Sequence, residues 1–233
     1  MTLPSNNNVK ILIGTFAIII LLFIISAVGR PLIFGLTGLK SVNDIFIFLS
    51  SCTHWLCLLL LWIYVTKVEK QPFLLWKERE YGFLYYIVHI IAIFFFIFLL
   101  AIPIMMIFQL LHLVKVSPKI NELREIVKNN EPLLAFICLT AGIVEEAIFR
   151  GYILPRFEVL FKNAYYAIII SSLFFGLLHF KYGTLINMVG PFIIGLVLAY
   201  HYWRFRNIKM VMLAHFLWDF MSLTLSVKFN HLH

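Results

Sequence analysis

Seven runs of apolar residues, each near the length needed to cross a bilayer, dominate this chain and fix the solvent in which it folds. They cover residues 11–28, 45–65, 84–111, 132–154, 164–180, 184–203 and 208–227. A spanning helix needs about 20 predominantly apolar residues, and the flanking charges mark where each run leaves the hydrocarbon. The third run is long enough to tilt or to kink at Pro103, and the fourth opens on Pro132, a favourable first-turn residue. Composition agrees. With 62% hydrophobic and 13% charged residues, the chain departs from the roughly 45–50% and 25% of a soluble domain. Its 24 Phe, 11 Gly, 8 Pro and 3 Cys exclude disorder, collagen and a disulfide scaffold. Cys52, Cys57 and Cys138 lie in apolar runs without metal-ligand spacing and read as small buried thiols. The expected fold is an all-α, polytopic integral membrane protein of about seven (seven or eight) transmembrane helices. These 233 residues leave no room for a separate extramembrane domain, so function must be built from spans and loops.

Lys and Arg outnumber Asp and Glu by 19 to 11, a net +8. The basic residues are scattered through loops rather than clustered, which fits membrane topology beside anionic lipid and argues against nucleic-acid binding. With seven spans, one side collects Lys10, Lys67, Lys70, Lys77, Arg79, Arg156, Lys162, Arg204, Arg206 and Lys209, ten residues. Eight basic residues fall on the other side: Arg30, Lys40, Lys115, Lys119, Arg124, Lys128, Lys181 and Lys228. Ten against eight is too even to orient the chain. Basic and acidic residues alternate over 114–131, the pattern of a short surface helix. The flank Ser26-Ala27-Val28-Gly29 is rich in small residues, as leader-cleavage sites are. The preceding run is long for a leader and follows an Asn run, so it reads as a retained span. Trp76 and Trp203, near span ends, read as interfacial anchors.

Charge inside the apolar runs is what points to chemistry. Asp44, Glu69, Glu78, Glu80, Glu122, Glu125, Glu131 and Glu158 fall in loops or at span ends, whereas Glu145, Glu146 and Asp219 fall inside spans. A carboxylate at mid-bilayer costs on the order of 2.5–3.5 kcal/mol, so it is kept for a partner, a water-filled cavity or a reaction. Glu146 and Arg150 are four apart, within about 40° on a helix, and can pair along its axis. Glu145 is rotated by about 100° and left unpaired. An ion-pair latch between spans would explain Glu146 and Arg150 but leaves Glu145 without a role. A second carboxylate and apolar surroundings suit Glu145 to general-base chemistry.

Histidines supply partners. Phe175 and His179 share a face of the fifth span, and His215 and Asp219 repeat that spacing in the seventh. Asn187 and Gly190-Pro191 suggest a polar, bent sixth span lining the same cavity. His54, His89, His112, His201, His231 and His233 lack carboxyl neighbours or sit in the tail, and read as structural or surface groups. The sequence has no His-Glu-x-x-His, no Gly-x-Ser-x-Gly and no phosphate-binding Gly loop, and no short ligand motif for Zn²⁺. Neither a metal nor a cofactor is expected.

Glu145-Glu146-x-x-x-Arg150, Phe175-x-x-x-His179 and His215-x-x-x-Asp219, in this order on successive late spans, resemble the CPBP family. This group comprises the CAAX proteases and bacteriocin-processing enzymes and is also called the Abi family. The resemblance covers about residues 132–227; the first three spans are similar only in being hydrophobic. It implies a glutamate-dependent intramembrane endopeptidase without metal or serine nucleophile. Glu145 with His179 would activate a water, and His215 with the residue four later would stabilise the oxyanion. Glu146, Arg150 and Phe175 would support the site. Many members carry Asn where this chain has Asp219, and an ionised Asp cannot donate to an oxyanion; it would have to be protonated or orient His215. Straight spans put His179 further along its helix than Glu145, so convergence requires tilt or a fourth helix running past Leu154.

The implied organisation is a three-span region with a surface loop (1–131), a four-span core (132–227) and a short tail (228–233). The implied substrate is a peptide or lipidated protein reaching the bilayer of a bacterial plasma membrane: a CAAX-type tail, or a bacteriocin or pheromone precursor, with self-immunity as a related role. A non-catalytic membrane partner on the same fold and a proton or ion carrier are the competing classes. The sequence does not decide the oligomeric state.

Overall fold

The computed structural model describes residues 5–229 and is built from helices and their connections. His231 and His233 lie outside the described residues. The chain runs through α1 (Ser5–Thr37), α2 (Asp44–Tyr64), α3 (Phe83–Leu110), a short α4 (Pro118–Val127) and α5 (Glu131–Thr140). Two π-helical stretches, Ala141–Glu145 and Ala147–Ile153, lead into α6 (Leu154–Phe161). Then follow α7 (Ala164–Leu178), a 3₁₀ turn (His179–Tyr182), α8 (Ile186–Phe205) and α9 (Ile208–Phe229). Among the described residues seven helical segments are long and apolar enough to cross a membrane. The chain is a multi-pass membrane protein.

Burial orders the spans. In the most apolar stretch of Glu131–Phe161, 56% of residues are buried, against 11% for Phe83–Leu110. The first is therefore the axis around which the others pack, and the second is a lipid-facing strut whose Phe83, Leu84 and Met106 side chains point outward. Exposed apolar side chains are what a hydrocarbon solvent requires. The core gathers Val144, Ile148, Tyr152, Ile153 and Phe157 against Ile93, Ile97, Phe175, Leu198 and Val211. Close approach rests on glycine: a Cβ on Gly142 would lie 2.8 Å from the Met212 carbonyl oxygen of α9, and one on Gly176 would lie 2.7 Å from Met188 O of α8. Without side chains there, backbones pack to contact.

The expected surface helix is α4. Ser117 caps it, Ser117 Oγ also donates to Tyr182 O (2.6 Å), and an Arg30–Glu122 ion pair (2.5 Å) ties it to α1. The fourth span differs from the expected 132–154 by running on to Phe161. Pro155 has no N–H and would clash with the preceding turn of a regular helix. The π-helical stretch ending at Ile153 widens the helix directly before Pro155, and helical structure resumes beyond it. That continuation is one of the two ways in which His179 could meet the glutamate pair. The first span is also longer than expected, continuing through Pro31 to Thr37.

A second difference concerns charge. Glu69 and Arg156, read as span-end and loop residues, are both fully buried and form an ion pair (2.5 Å). A π-helical turn, Val65–Glu69, carries the Glu69 carboxylate inward at the end of α2. Removing the buried Arg156 from the topology count leaves nine exposed or partly exposed basic residues against eight.

Candidate active site

The widened helix between α5 and α6 aims a carboxylate into the bundle. Glu146 is wholly buried, and its Oε1 accepts from Arg150 Nη1 (2.5 Å) and from His215 Nδ1 (2.7 Å) on α9. The i, i+4 pair foreseen in the sequence is thus formed. It is joined by a contact 69 residues away that no linear spacing announces. Gly142 makes that contact possible, because its bare face lets α9 approach one turn before Glu146.

Arg150 is shared among three spans. Its Nη2 donates to Gly195 O of α8 (3.2 Å), and its guanidinium lies 4.4 Å from the centre of the Phe175 ring of α7. A cation over an aromatic face keeps part of its electrostatic stabilisation out of water. Phe175 therefore gives the arginine a second holding contact besides Glu146. It also packs against Phe149, His179 and His215, with ring centres 5.1, 5.1 and 5.9 Å apart.

The two histidines differ in what their bonds leave free. His179 Nδ1 lies 2.8 Å from Phe175 O, and since a carbonyl can only accept, Nδ1 carries the proton. In the neutral ring Nε2 is then an available acceptor. His215 has neighbours at both nitrogens: Nδ1 donates to Glu146, and Nε2 faces Asp219 Oδ2 at 3.4 Å. The two arrangements that satisfy Nε2 are an imidazolium beside Asp219 carboxylate and a neutral ring accepting from a protonated Asp219.

Glu145 stands apart. It is partly exposed, makes no hydrogen bond to a described residue, and lies in the electrostatic field of His215, Asp219 and Lys181. No direct bond joins it to His179. Glu146 Oε2 is likewise buried without a protein partner. Exposure rises from none at the Glu146 side chain to 31% at that of Asp219, so the cluster opens toward the end of the bundle that carries His179 and α4. Asn187 donates to Thr184 Oγ1 (2.6 Å) at the start of α8 and has no bond to the cluster. Among the described residues no three His, Cys, Asp or Glu side chains converge as a metal site would require.

The cluster thus sets two groups with lone pairs not used in hydrogen bonds, Glu145 and His179 Nε2, beside a bonded and packed network of Glu146, Arg150, His215 and Phe175. Sequence spacing had already singled out these residues as candidates, and Glu146–Arg150 and His215–Asp219 are in contact at the expected i, i+4 spacing. It missed the Glu146–His215 bond and the Gly195 carbonyl, which arise from packing between spans.

Residues 129–221 match the family described as type II CAAX prenyl endopeptidase Rce1-like. The match contains all three motifs on which the resemblance to the CPBP group rests. Over 111 residues the chain is 32% identical to the UPF0177 protein YvdC of Lactococcus lactis subsp. lactis (strain IL1403), an alignment covering 46% of this chain and 40% of that relative. The chain therefore spans about two fifths of that relative's length. No solved structure matches.

Proposed function

Residues 129–221 of this chain match the Rce1-like family, and from that premise we propose a glutamate-dependent, metal-independent intramembrane endopeptidase of the CPBP group. The observation that carries the reading is the contrast between Glu145, which has no hydrogen-bond partner, and its neighbour Glu146, which is locked to Arg150 and His215. A carboxylate left unpaired within a span is costly unless it acts on something that enters the site.

In this reading a water sits between the Glu145 carboxylate and His179 Nε2. Glu145 takes one proton as the water oxygen attacks the scissile carbonyl carbon. The oxyanion of the tetrahedral intermediate develops beside His215, whose Nε2–H is the donor in its imidazolium form, with Asp219 orienting and charge-balancing the ring. Collapse breaks the C–N bond, and the proton held by Glu145 passes to the leaving nitrogen, giving a carboxylic acid and an amine. Arg150 and Phe175 act on Glu146 and His215 rather than on substrate. Low dielectric around the cluster strengthens every one of these oriented interactions.

The substrate is a peptide or lipidated protein segment at the bilayer: a CAAX-type tail, or a bacteriocin or pheromone precursor processed in a bacterial plasma membrane, with self-immunity as a related outcome. The test uses purified protein in liposomes against a library of membrane-partitioning peptides. Wild type should cleave, and Glu145→Gln should lose on the order of 10²–10⁴ in rate while unfolding at the wild-type temperature. Equal cleavage by Glu145→Gln would overturn the reading. Absence of cleavage with Glu145-independent partner binding would identify a scaffold, and pH-driven ion flux without cleavage would identify a carrier.

A further inference from the structure

A second polar centre lies at the opposite end of the bundle, unconnected to the glutamate cluster. Arg206, its central residue, is eleven positions beyond Gly195, about 16 Å along α8. The connection between α2 and α3 folds back there onto the turn between α8 and α9. Arg79 N–H donates to Arg206 O (2.8 Å), Asn207 Nδ2 to Arg79 O (2.7 Å) and Tyr81 OH to Phe205 O (2.8 Å). Between these segments is a cleft of about 540 Å³, lined by Leu75, Trp76, Lys77, Glu78, Arg79 and Arg206.

Its charges are unevenly partnered. Both oxygens of Glu78 are taken by neutral donors, Tyr202 OH (2.7 Å) and the Ile208 amide (2.6 Å). Glu158, behind Trp76, is likewise taken by the indole N–H groups of Trp76 (3.0 Å) and Trp203 (3.2 Å). Among the described residues no ion pair joins Lys77, Arg79 or Arg206 to a carboxylate. Arg206 is also fixed in place. It caps α8 in the left-handed conformation (φ 54°), a costly setting for a residue with a Cβ, and its guanidinium stacks 3.4 Å from the centre of the Trp76 ring. Its Nη1 is buried and has no hydrogen-bond partner. Among the described residues none of its other guanidinium nitrogens makes a hydrogen bond either, and since they can only donate, those that face the cleft are completed by an acceptor from a ligand or solvent.

We infer that this cleft binds a phosphate group of uncompensated negative charge, held by Arg206 from its floor and by Lys77 and Arg79 from its rim. A planar guanidinium with spare donors suits phosphate oxygens, and two flexible cations supply the remaining charge. An anionic phospholipid headgroup and inorganic phosphate share this chemistry. The tryptophan-bearing end of a bundle is where headgroups lie, and the volume lies within the range of sites for small molecules.

The experiment uses the full chain in neutral detergent and reads unfolding temperature and bound adducts by native mass spectrometry. The probes are short-chain phosphatidylglycerol, phosphatidylcholine of equal chain length, and inorganic phosphate. Phosphatidylglycerol should bind and stabilise, and phosphatidylcholine should not. Lys77→Gln/Arg79→Gln, which alters two exposed side chains without hydrogen bonds, should weaken phosphatidylglycerol binding by about 30-fold. Arg204→Gln/Lys209→Gln removes the same charge from exposed positions that do not line the cleft and should leave binding unchanged. Stabilisation by inorganic phosphate that is lost with Lys77 and Arg79 would assign the cleft to the free ion; none would assign it to the lipid. Wild-type affinity in Lys77→Gln/Arg79→Gln, or equal losses in both double variants, would overturn the inference.

Discussion

Among the described residues the protein buries two carboxylate–guanidinium pairs, and they differ in how fully they are satisfied. At Glu69–Arg156 every donor is used. Arg156 Nε and Nη2 donate to the carboxylate (2.9 and 2.5 Å), Nη2 also to Pro72 O (3.2 Å), and Nη1 to Phe73 O (3.0 Å) and Tyr152 O (3.3 Å). Tyr152 OH completes the second carboxylate oxygen (3.0 Å), and the guanidinium sits 3.8 Å from that ring's centre. At Glu146–Arg150 one carboxylate oxygen has no protein partner, the adjacent Glu145 has no hydrogen bond, and the histidines lead outward to a partly exposed Asp219. A closed network of this kind specifies one packing of α2, the following turn and α6. An open one keeps polar atoms in reserve. Burial of charge therefore does not by itself mark a reaction centre; incomplete pairing within it is what makes the Glu146–Arg150 cluster the candidate.

Three substitutions sharpen this contrast. The largest effect is expected from Glu69→Ala, which strands Arg156 as an unpaired buried charge at a cost of about 3–5 kcal/mol. Reversible unfolding in detergent should register that loss, and any protein that remains folded should retain its specific activity. A stable but inactive Glu69→Ala variant would move this pair from scaffold to site. Gly142→Ala comes next. The added methyl meets the Met212 carbonyl and Phe216, so α9 must shift, costing about 1–3 kcal/mol. Because the same shift displaces His215 from Glu146, kcat should fall more than stability alone explains. A proportional loss in both would mean that the contact only packs the bundle. The smallest effect is expected from Asp219→Asn, which keeps a partner beside His215 Nε2 while removing the charge. Peptide cleavage should stay within about tenfold of wild type, with the pH–rate profile altered; a complete loss would show that charge balance at His215 is indispensable.

What the sequence made legible follows helix periodicity. Glu146–Arg150 and His215–Asp219 are each four residues apart, and both pairs are in contact, because any helix brings i and i+4 together. Glu145 read as the odd member for the same reason, and it carries no hydrogen bond. Number and type of spans followed from the apolar runs. What stayed hidden depends on packing between distant segments. Glu69 looked like an ordinary span-end acid, since its partner lies 87 residues later and its inward turn comes from a π-helical end that apolar patterning does not encode. The Glu146–His215 bond was hidden likewise, although Gly142, small and one turn earlier, is in retrospect its sign. The fourth span's extension past Pro155 was masked because the local widening that accommodates the proline has no compositional signature.

The two pairs also differ in what each segment carries with it into the membrane. A helix emerging with Glu146 already carries Arg150 one turn away, so this segment can enter lipid with its counter-charge aboard. Arg156 has no comparable companion; its carboxylate belongs to α2, which is synthesised first. In the folded bundle Glu69 is what pairs the guanidinium, so a fourth span packed against an already inserted second span has its counter-charge in place. Reversing that order, by circular permutation or by expressing residues from 131 onward alone, would deliver a naked arginine to the bilayer. The early spans, which lie outside the residues that match the family, would then be the receiving berth for the helix that bears the glutamates.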